Sequence, residues 1–140
     1  PLPYRKEEDG PMGQSTFGAP GCIESSIQGA ALTRLYNFMN GKDMDPPEIA
    51  EGARKGDPQA LATLGRYYEV VAKAMTVIMH SVDPHVIVVG GGLSNLPALC
   101  DSVPKRWSKY CVVDKPKTKL TLAAHGPMAG MRGAAYLWRG

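Results

Sequence analysis

Cysteine, aromatic residues and long apolar runs are all scarce in this chain, and each scarcity excludes something. Three cysteines, Cys22, Cys100 and Cys111, are odd in number and far apart, which argues against a disulfide framework and for reduced thiols. No stretch approaches the roughly 18–20 apolar residues that a membrane-spanning helix needs. The opening, PLPYRKEEDG, is charged and turn-rich, unlike a leader with an apolar centre. Together these predict a cytoplasmic location. Charge of one sign is scarce as well. The formal net charge is +3, and the lysine-rich stretches VPKRWSKYC and DKPKTK lack the dense basic stripe with interleaved aromatics of a nucleic-acid footprint. They read as solvated surface. What remains is 140 residues, 44% hydrophobic and 21% charged, enough for the core of one globular domain. The first residue is Pro1 rather than Met, from which the chain is expected to be a piece of a longer protein.

The first twenty residues hold four prolines and three glycines without a period and read as irregular. A helix is expected from about Ile23 to Asn40, where Ile27, Ala30, Ala31, Arg34, Leu35, Phe38 and Met39 recur at three- and four-residue steps and Gly41 offers a stop. A short helix should begin at Pro46 or Pro47. Asp57 before Pro58 is a strong N-cap signal for a long helix reaching Val82. Its expected apolar stripe is Leu61, Leu64, Tyr68, Val71, Met75, Ile78, Met79 and Val82. Beyond Pro84, the run Val86–Val89 has no alternation, which predicts a central strand covered on both faces, with a parallel neighbour. A helix broken at Pro104 should follow from Asn95 toward Tyr110, then a strand in KLTLAA and a terminal helix from Met128 to Trp138. The order is that of an α/β protein with few strands.

The strand Val86–Val89 runs straight into Gly90, Gly91 and Gly92, at the carboxyl edge where open α/β sheets bind ligands. Without Cβ atoms, such residues take positive φ and let a planar base or a phosphate touch the peptide groups. Ser94 or Asn95 is the expected cap of the next helix. The dinucleotide fingerprint is not met, because Asn95 stands where its last glycine belongs, and no Lys-Ser/Thr pair completes a Walker A loop. On these residues alone, a tight turn and a nucleotide contact both remain open. The second glycine run, HGPMAGMRGAA, places Gly126, Gly130 and Gly133 near one helix face and suggests close helix packing. His125 before it reads as a capped or solvent-facing residue.

Taken in order, PLPY, GCIESSIQGAAL, DPHVIVVGGGLSN and HGPMAGMRGAAYLW resemble the C-terminal part of the ROK family of bacterial sugar kinases and repressors, over essentially the whole chain. The resemblance is greatest to fructokinase and manno(fructo)kinase, with N-acetylglucosamine kinase close behind. It implies an actin-like, ribonuclease-H-like ATPase fold of two lobes with sugar and ATP between them. Residues 1–22 would then be the remnant of the family's zinc-loop region, and 23–140 the C-terminal α/β lobe, helix-rich with a central, largely parallel sheet. The N-terminal lobe would lie outside this chain. The resemblance places Gly90, Gly91 and Gly92 against the adenosine of ATP, which brings Mg²⁺ with it, and Glu24 of the Gly-Cys-x-Glu motif on sugar hydroxyls. A carboxylate suits that task because it accepts two hydroxyl hydrogen bonds at once. Read from its position alone, Glu24 is a first-turn glutamate favoured by the helix dipole.

Two departures from the family pattern matter. The family's Cys-x-Cys-Gly-x-x-Gly-Cys, which with an upstream histidine binds a structural zinc, survives here only as Cys22, with Ser15 and Phe17 at the other two cysteine positions. One thiolate does not make a tetrahedral zinc site, so no zinc is expected, and the segment from Gly13 to Cys22 is expected to be looser or held by Phe17. The family's general base, an aspartate, and its phosphate-gripping loop both belong to the N-terminal lobe. No catalytic residue is therefore expected in this chain, which alone should not be a kinase. The leading expectation is the C-terminal portion of an ATP-dependent hexose kinase, with fructose favoured by PLPY and AAYLW, and with a homodimer possible. The competing readings are the sugar-responsive lobe of a ROK-type repressor, the one case with nucleic acid as partner, or a non-catalytic structural or dimerisation unit.

Overall fold

The computed structural model describes residues 1–15, 19–113 and 116–138. Its centre is one long helix. Asp57 caps it by accepting a hydrogen bond from the Gln59 N–H at 2.9 Å, Pro58 takes the first helical position, and the helix (α4, Pro58–Val82) ends at Asp83 in the left-handed region ahead of Pro84. The expected stripe is buried at Leu64, Tyr68, Val71, Met75 and Met79, whereas Leu61, Ile78 and Val82 are exposed. In its place Ala60, Thr63, Tyr67, Val70, Ala72, Lys73, Ala74 and Thr76 are also buried. Such all-round burial through the middle marks a helix at the core rather than on the surface.

The single helix expected from Ile23 to Asn40 is two: α1 (Ile23–Ile27) and α2 (Gly29–Asn40), parted at Gln28, whose φ of −69° and ψ of 164° are extended. The reason is partly local. The Ser25 and Ser26 hydroxyls both donate back to the Cys22 carbonyl, at 3.0 and 2.8 Å, and such short side chains compete with the helical ladder. The carbonyls freed by the break find other donors: Arg34 Nη2 reaches Ser25 O at 2.5 Å, and the Tyr67 hydroxyl donates to Ile27 O. The break also shifts the buried face to Ala31, Leu32, Leu35 and Tyr36 and leaves Phe38 and Met39, of the expected periodic set, exposed.

Helix α3 (Pro46–Arg54) starts as the sequence indicates, with prolines in the first turn and a capping box between Asp45 and Glu48. It packs with α2 against α4, and their core is Leu32, Leu35, Tyr36, Ile49, Leu64 and Tyr67. Strand β1 (Val86–Val89) pairs in parallel with β2 (Lys119–Leu122), Val86 opposite Lys119 and Val89 opposite Leu122. The parallel neighbour is as expected, but β1 is not covered on both faces. Val86 and Val88, on one face, are 46% and 60% exposed, while Val89 on the other is buried; among the described residues the sheet has two strands.

Between the strands the expected helix from Asn95 is replaced by a 3₁₀ turn (Gly91–Asn95) and two short helices, α5 (Leu99–Ser102) and α6 (Pro104–Trp107). Ser94 does not cap a helix; its hydroxyl donates to the Gly91 carbonyl at 2.7 Å and closes the turn instead. Leu99, Val103 and Trp107 anchor this segment in the core. The last helix, α7 (Ala129–Tyr136), has no buried residue, and a Cβ added at Gly126, Gly130 or Gly133 would meet nothing within 4 Å. The helix packing expected of these glycines is thus absent among the described residues.

The opening segment holds little regular structure, one 3₁₀ turn (Glu7–Asp9), yet it is firmly attached. Leu2 packs with Val70 and Ala74, Tyr4 stacks on Tyr110 with centroids 5.5 Å apart, and Asp9 forms an ion pair with Lys73 on α4. Phe17, expected to hold the loop before Cys22, lies outside the described residues.

Candidate functional site

A cleft of about 620 Å³ opens between α3 and the turn that follows β1. One wall is a face of α3, made by Pro46, Pro47, Ala50 and Arg54; the other is Gly92, Leu93, Asn95 and Leu96, with Gly29 and Leu32 of α2 between them. The volume is that of a small-molecule site, and its lining is mostly apolar with few polar groups, as such sites require. The two prolines make the first wall stiff.

The glycines form the second wall in different ways. Gly90 is extended, with φ −123° and ψ −174°, and a Cβ there would lie 3.8 Å from the Ala123 Cβ. Gly91 has φ +65°, the left-handed conformation that favours glycine, and Gly92 has open space where a side chain would stand. All three are exposed, so the bend is neither plugged nor covered. Of the three, Gly92 lines the cleft.

Two tethers hold this turn. From α4 the Tyr68 hydroxyl donates to Pro97 O, and from the end of α3 Arg54 Nη2 donates to Asn95 O at 2.5 Å. Burial, opposed by Arg106 and Arg54, raises the Tyr68 hydroxyl above its ordinary range, so it is a neutral donor at physiological pH. Sequence reasoning missed Arg54, Ala50 and the prolines as cleft residues. Pro46, Ala50 and Arg54 stand four residues apart along one short helix, the signal that sets them on one face.

Glu24 does not line this cleft. It is half-buried in the first turn of α1, where its Oε2 accepts a hydrogen bond from the Ser15 hydroxyl at 2.5 Å. Cys22 Sγ is 4.0 Å from the same oxygen and caps α1 by accepting from the Ser25 N–H at 3.4 Å. The Ser15 hydroxyl and the Ser25 N–H hold the Cys22 thiol below its usual range. Ser15, Cys22 and Glu24 therefore form one hydrogen-bonded group. Among the described residues, no set of three or more His, Cys, Asp or Glu is placed to hold a metal ion, and no helix is long and apolar enough to cross a membrane.

The molecule is thus an α/β lobe with an open, mostly apolar cleft beside the carboxyl end of a parallel strand, the place where open sheets take their ligands. The chain belongs to the ROK family, whose model matches residues 7–140. It is 38% identical over 120 residues to the N-acetyl-D-glucosamine kinase of Erwinia tasmaniensis, covering 86% of this chain and 40% of that protein. It is 35% identical over 129 residues to an Escherichia coli N-acetyl-D-glucosamine kinase, covering 92% and 43%. The chain therefore spans less than half the length of these relatives. Among solved structures, a ROK family glucokinase from Streptomyces griseus, in complex with glucose and AMPPNP, superposes with a TM-score of 0.75 at 26% identity, over 87% of this chain and 46% of that one. The ROK hexokinase from Thermus thermophilus gives 0.69 at 27% identity, over 91% and 43%. The fold is the C-terminal lobe of an actin-like ATPase, with the sheet reduced to a parallel pair among the described residues.

Proposed function

We propose that this chain is the C-terminal portion of an ATP-dependent hexose kinase and that it supplies the seat for the adenosine of ATP and one carboxylate for the sugar. The observation that carries the reading is the bare wall at Gly92. Peptide groups without a Cβ face an open cleft whose opposite wall is Pro46, Pro47, Ala50 and Arg54, so no side chain of the glycine turn stands in the way of a flat base. The AMPPNP in the glucokinase relative supports ATP as the ligand class.

In this reading Gly91 turns the chain, Gly92 admits the nucleoside, and Leu93 and Leu96 exclude water from it. Glu24, its orientation fixed by Ser15, accepts hydrogen bonds from sugar hydroxyls. ATP, with its Mg²⁺, supplies the phosphoryl group, and this lobe positions the reactants, which is most of what phosphoryl transfer asks of a protein. The general base and the grip on the phosphates fall to an N-terminal lobe outside these residues, with residues 1–22 and 23–140 forming the loop remnant and the lobe proper.

PLPY and AAYLW favour fructose, whereas the named relatives are kinases of N-acetyl-D-glucosamine, glucose and hexoses. The acceptor class proposed is therefore a hexose. The full-length protein is to be assayed with ATP and each of fructose, mannose, glucose and N-acetylglucosamine. Phosphorylation of at least one is expected; activity on none overturns the proposal.

A further inference from the structure

The two walls of the cleft belong to parts of the chain with different supports. One is α3, packed on α2 and α4; the other is a 3₁₀ turn with no buried residue between Gly91 and Asn95. A slot for a flat ligand depends on the spacing of its walls; Leu93 and Leu96 pack this wall on the core, and the exposed peptide edge around Asn95 is left to hydrogen bonds. Among the described residues, one hydrogen bond joins the two walls directly: Arg54 Nη2 to the Asn95 carbonyl, 2.5 Å, between residues 41 apart in sequence. Arg54 is well placed to be a strut. It is the last residue of α3, and Glu51 one turn earlier steadies its guanidinium at 3.6 Å. Among the described residues it is also the one charged side chain that lines the cleft.

Resting on the nucleotide reading above, we propose that Arg54 is a positioning residue for the nucleoside. It fixes the Asn95 carbonyl, and through it the glycine turn, at the separation from Pro46, Pro47 and Ala50 that a purine needs. The guanidinium acts on the wall rather than on the phosphates. This separates the proposal from a simple charge effect, because a strut serves an uncharged nucleoside as well as a triphosphate, whereas a charge serves only the latter. A planar guanidinium donor is rigid enough for such a role, and an ammonium on a flexible stem is less so.

The test is calorimetric titration of the full-length protein with adenosine and with ATP, in the wild type, R54M and R54K. The Arg54 side chain is 47% exposed, so R54M keeps the fold, which an unchanged melting temperature verifies. We expect R54M to weaken adenosine and ATP by the same factor, about tenfold, the worth of one charge-assisted hydrogen bond. R54K should recover part of the loss for both ligands, and kcat at saturating ATP should stay within about twofold of wild type. A loss for ATP alone assigns Arg54 to the phosphates and overturns the proposal, as does unchanged affinity for both ligands. A wild type that binds neither ligand overturns the nucleotide reading itself, together with this one.

Discussion

Replacing Lys73 by Met removes a cation from a fully enclosed ion pair. The Lys73 and Asp9 side chains are 1% and 0% exposed, with Nζ 2.6 and 2.9 Å from the two carboxylate oxygens. The ammonium also lies 5.6 Å from the Tyr110 ring centre, a cation–π distance. After the substitution Asp9 keeps the Lys6 N–H at 2.8 Å and loses both bonds from the ammonium. An uncompensated buried carboxylate of this kind costs about 3–5 kcal/mol, a large share of the roughly 5–15 kcal/mol that holds a domain folded. At a urea dependence of about 2 kcal/mol per molar, the midpoint should fall by about 2 M. The signal is the fluorescence of Trp107, 2% exposed in the core, over a constant background from Trp138, which is 91% exposed. The double variant D9N/K73M removes the stranded charge and should recover at least about 2 kcal/mol of the loss. A fall of less than about 0.5 M for K73M, or a double variant no better than the single one, refutes the argument that an unpaired charge is what costs.

Gly91→Val and Gly92→Val separate strain from occupancy. The first meets a φ of +65° and should cost about 1–2 kcal/mol of stability; the second meets open space, leaves the melting temperature nearly unchanged, and should weaken ATP binding at least about tenfold by filling the cleft. Cys22, its thiol lowered by Ser15 and Ser25, should react with an alkylating reagent at neutral pH faster than Cys100 and Cys111, whose thiols burial raises; peptide mass mapping against time gives the order, and Ser15→Ala should slow Cys22. Burial alone would raise the Glu69 carboxyl, but the Tyr110 hydroxyl, Lys109 and Arg106 outweigh it and hold the group below its ordinary value. Its contribution is present above the unfolded pKa of about 4.3 and disappears as the pH falls through the lower folded value, so Glu69→Gln should flatten the acid limb of a stability–pH curve.

What could be read from the residues was decided by how local the cause was. Asp57 with Pro58, and the two prolines opening α3, act within one turn, so their helices begin where the letters place them. The break at Gln28 was hidden because it depends on two serines folding back on Cys22 and on Arg34 and Tyr67 arriving from elsewhere to take the freed carbonyls. The strand Val86–Val89 and its parallel partner are legible in the sequence, but an unbroken apolar run says only that the side chains avoid water, not what covers them, and Val86 and Val88 are exposed here. The glycines after it were legible as an opening in the chain. The facing wall was not, since Pro46, Ala50 and Arg54 become cleft residues only through the packing of α3 beside the turn. The hydrogen bond from Ser15 to Glu24 is equally invisible, because it joins residues nine apart with no periodic pattern between them.

The centrality of α4 has a consequence for how the chain acquires its shape. Its helical neighbours α2 and α3 immediately precede it, so their contacts close short loops, while β1 must wait for β2 to return from beyond two further helices. Loop-closure entropy makes the distant pairing the late event. The amides of Tyr67 to Thr76 should therefore exchange with deuterium last, and those of Lys119 to Leu122 much earlier. The turn that lines the cleft hangs from the end of that late-formed pair.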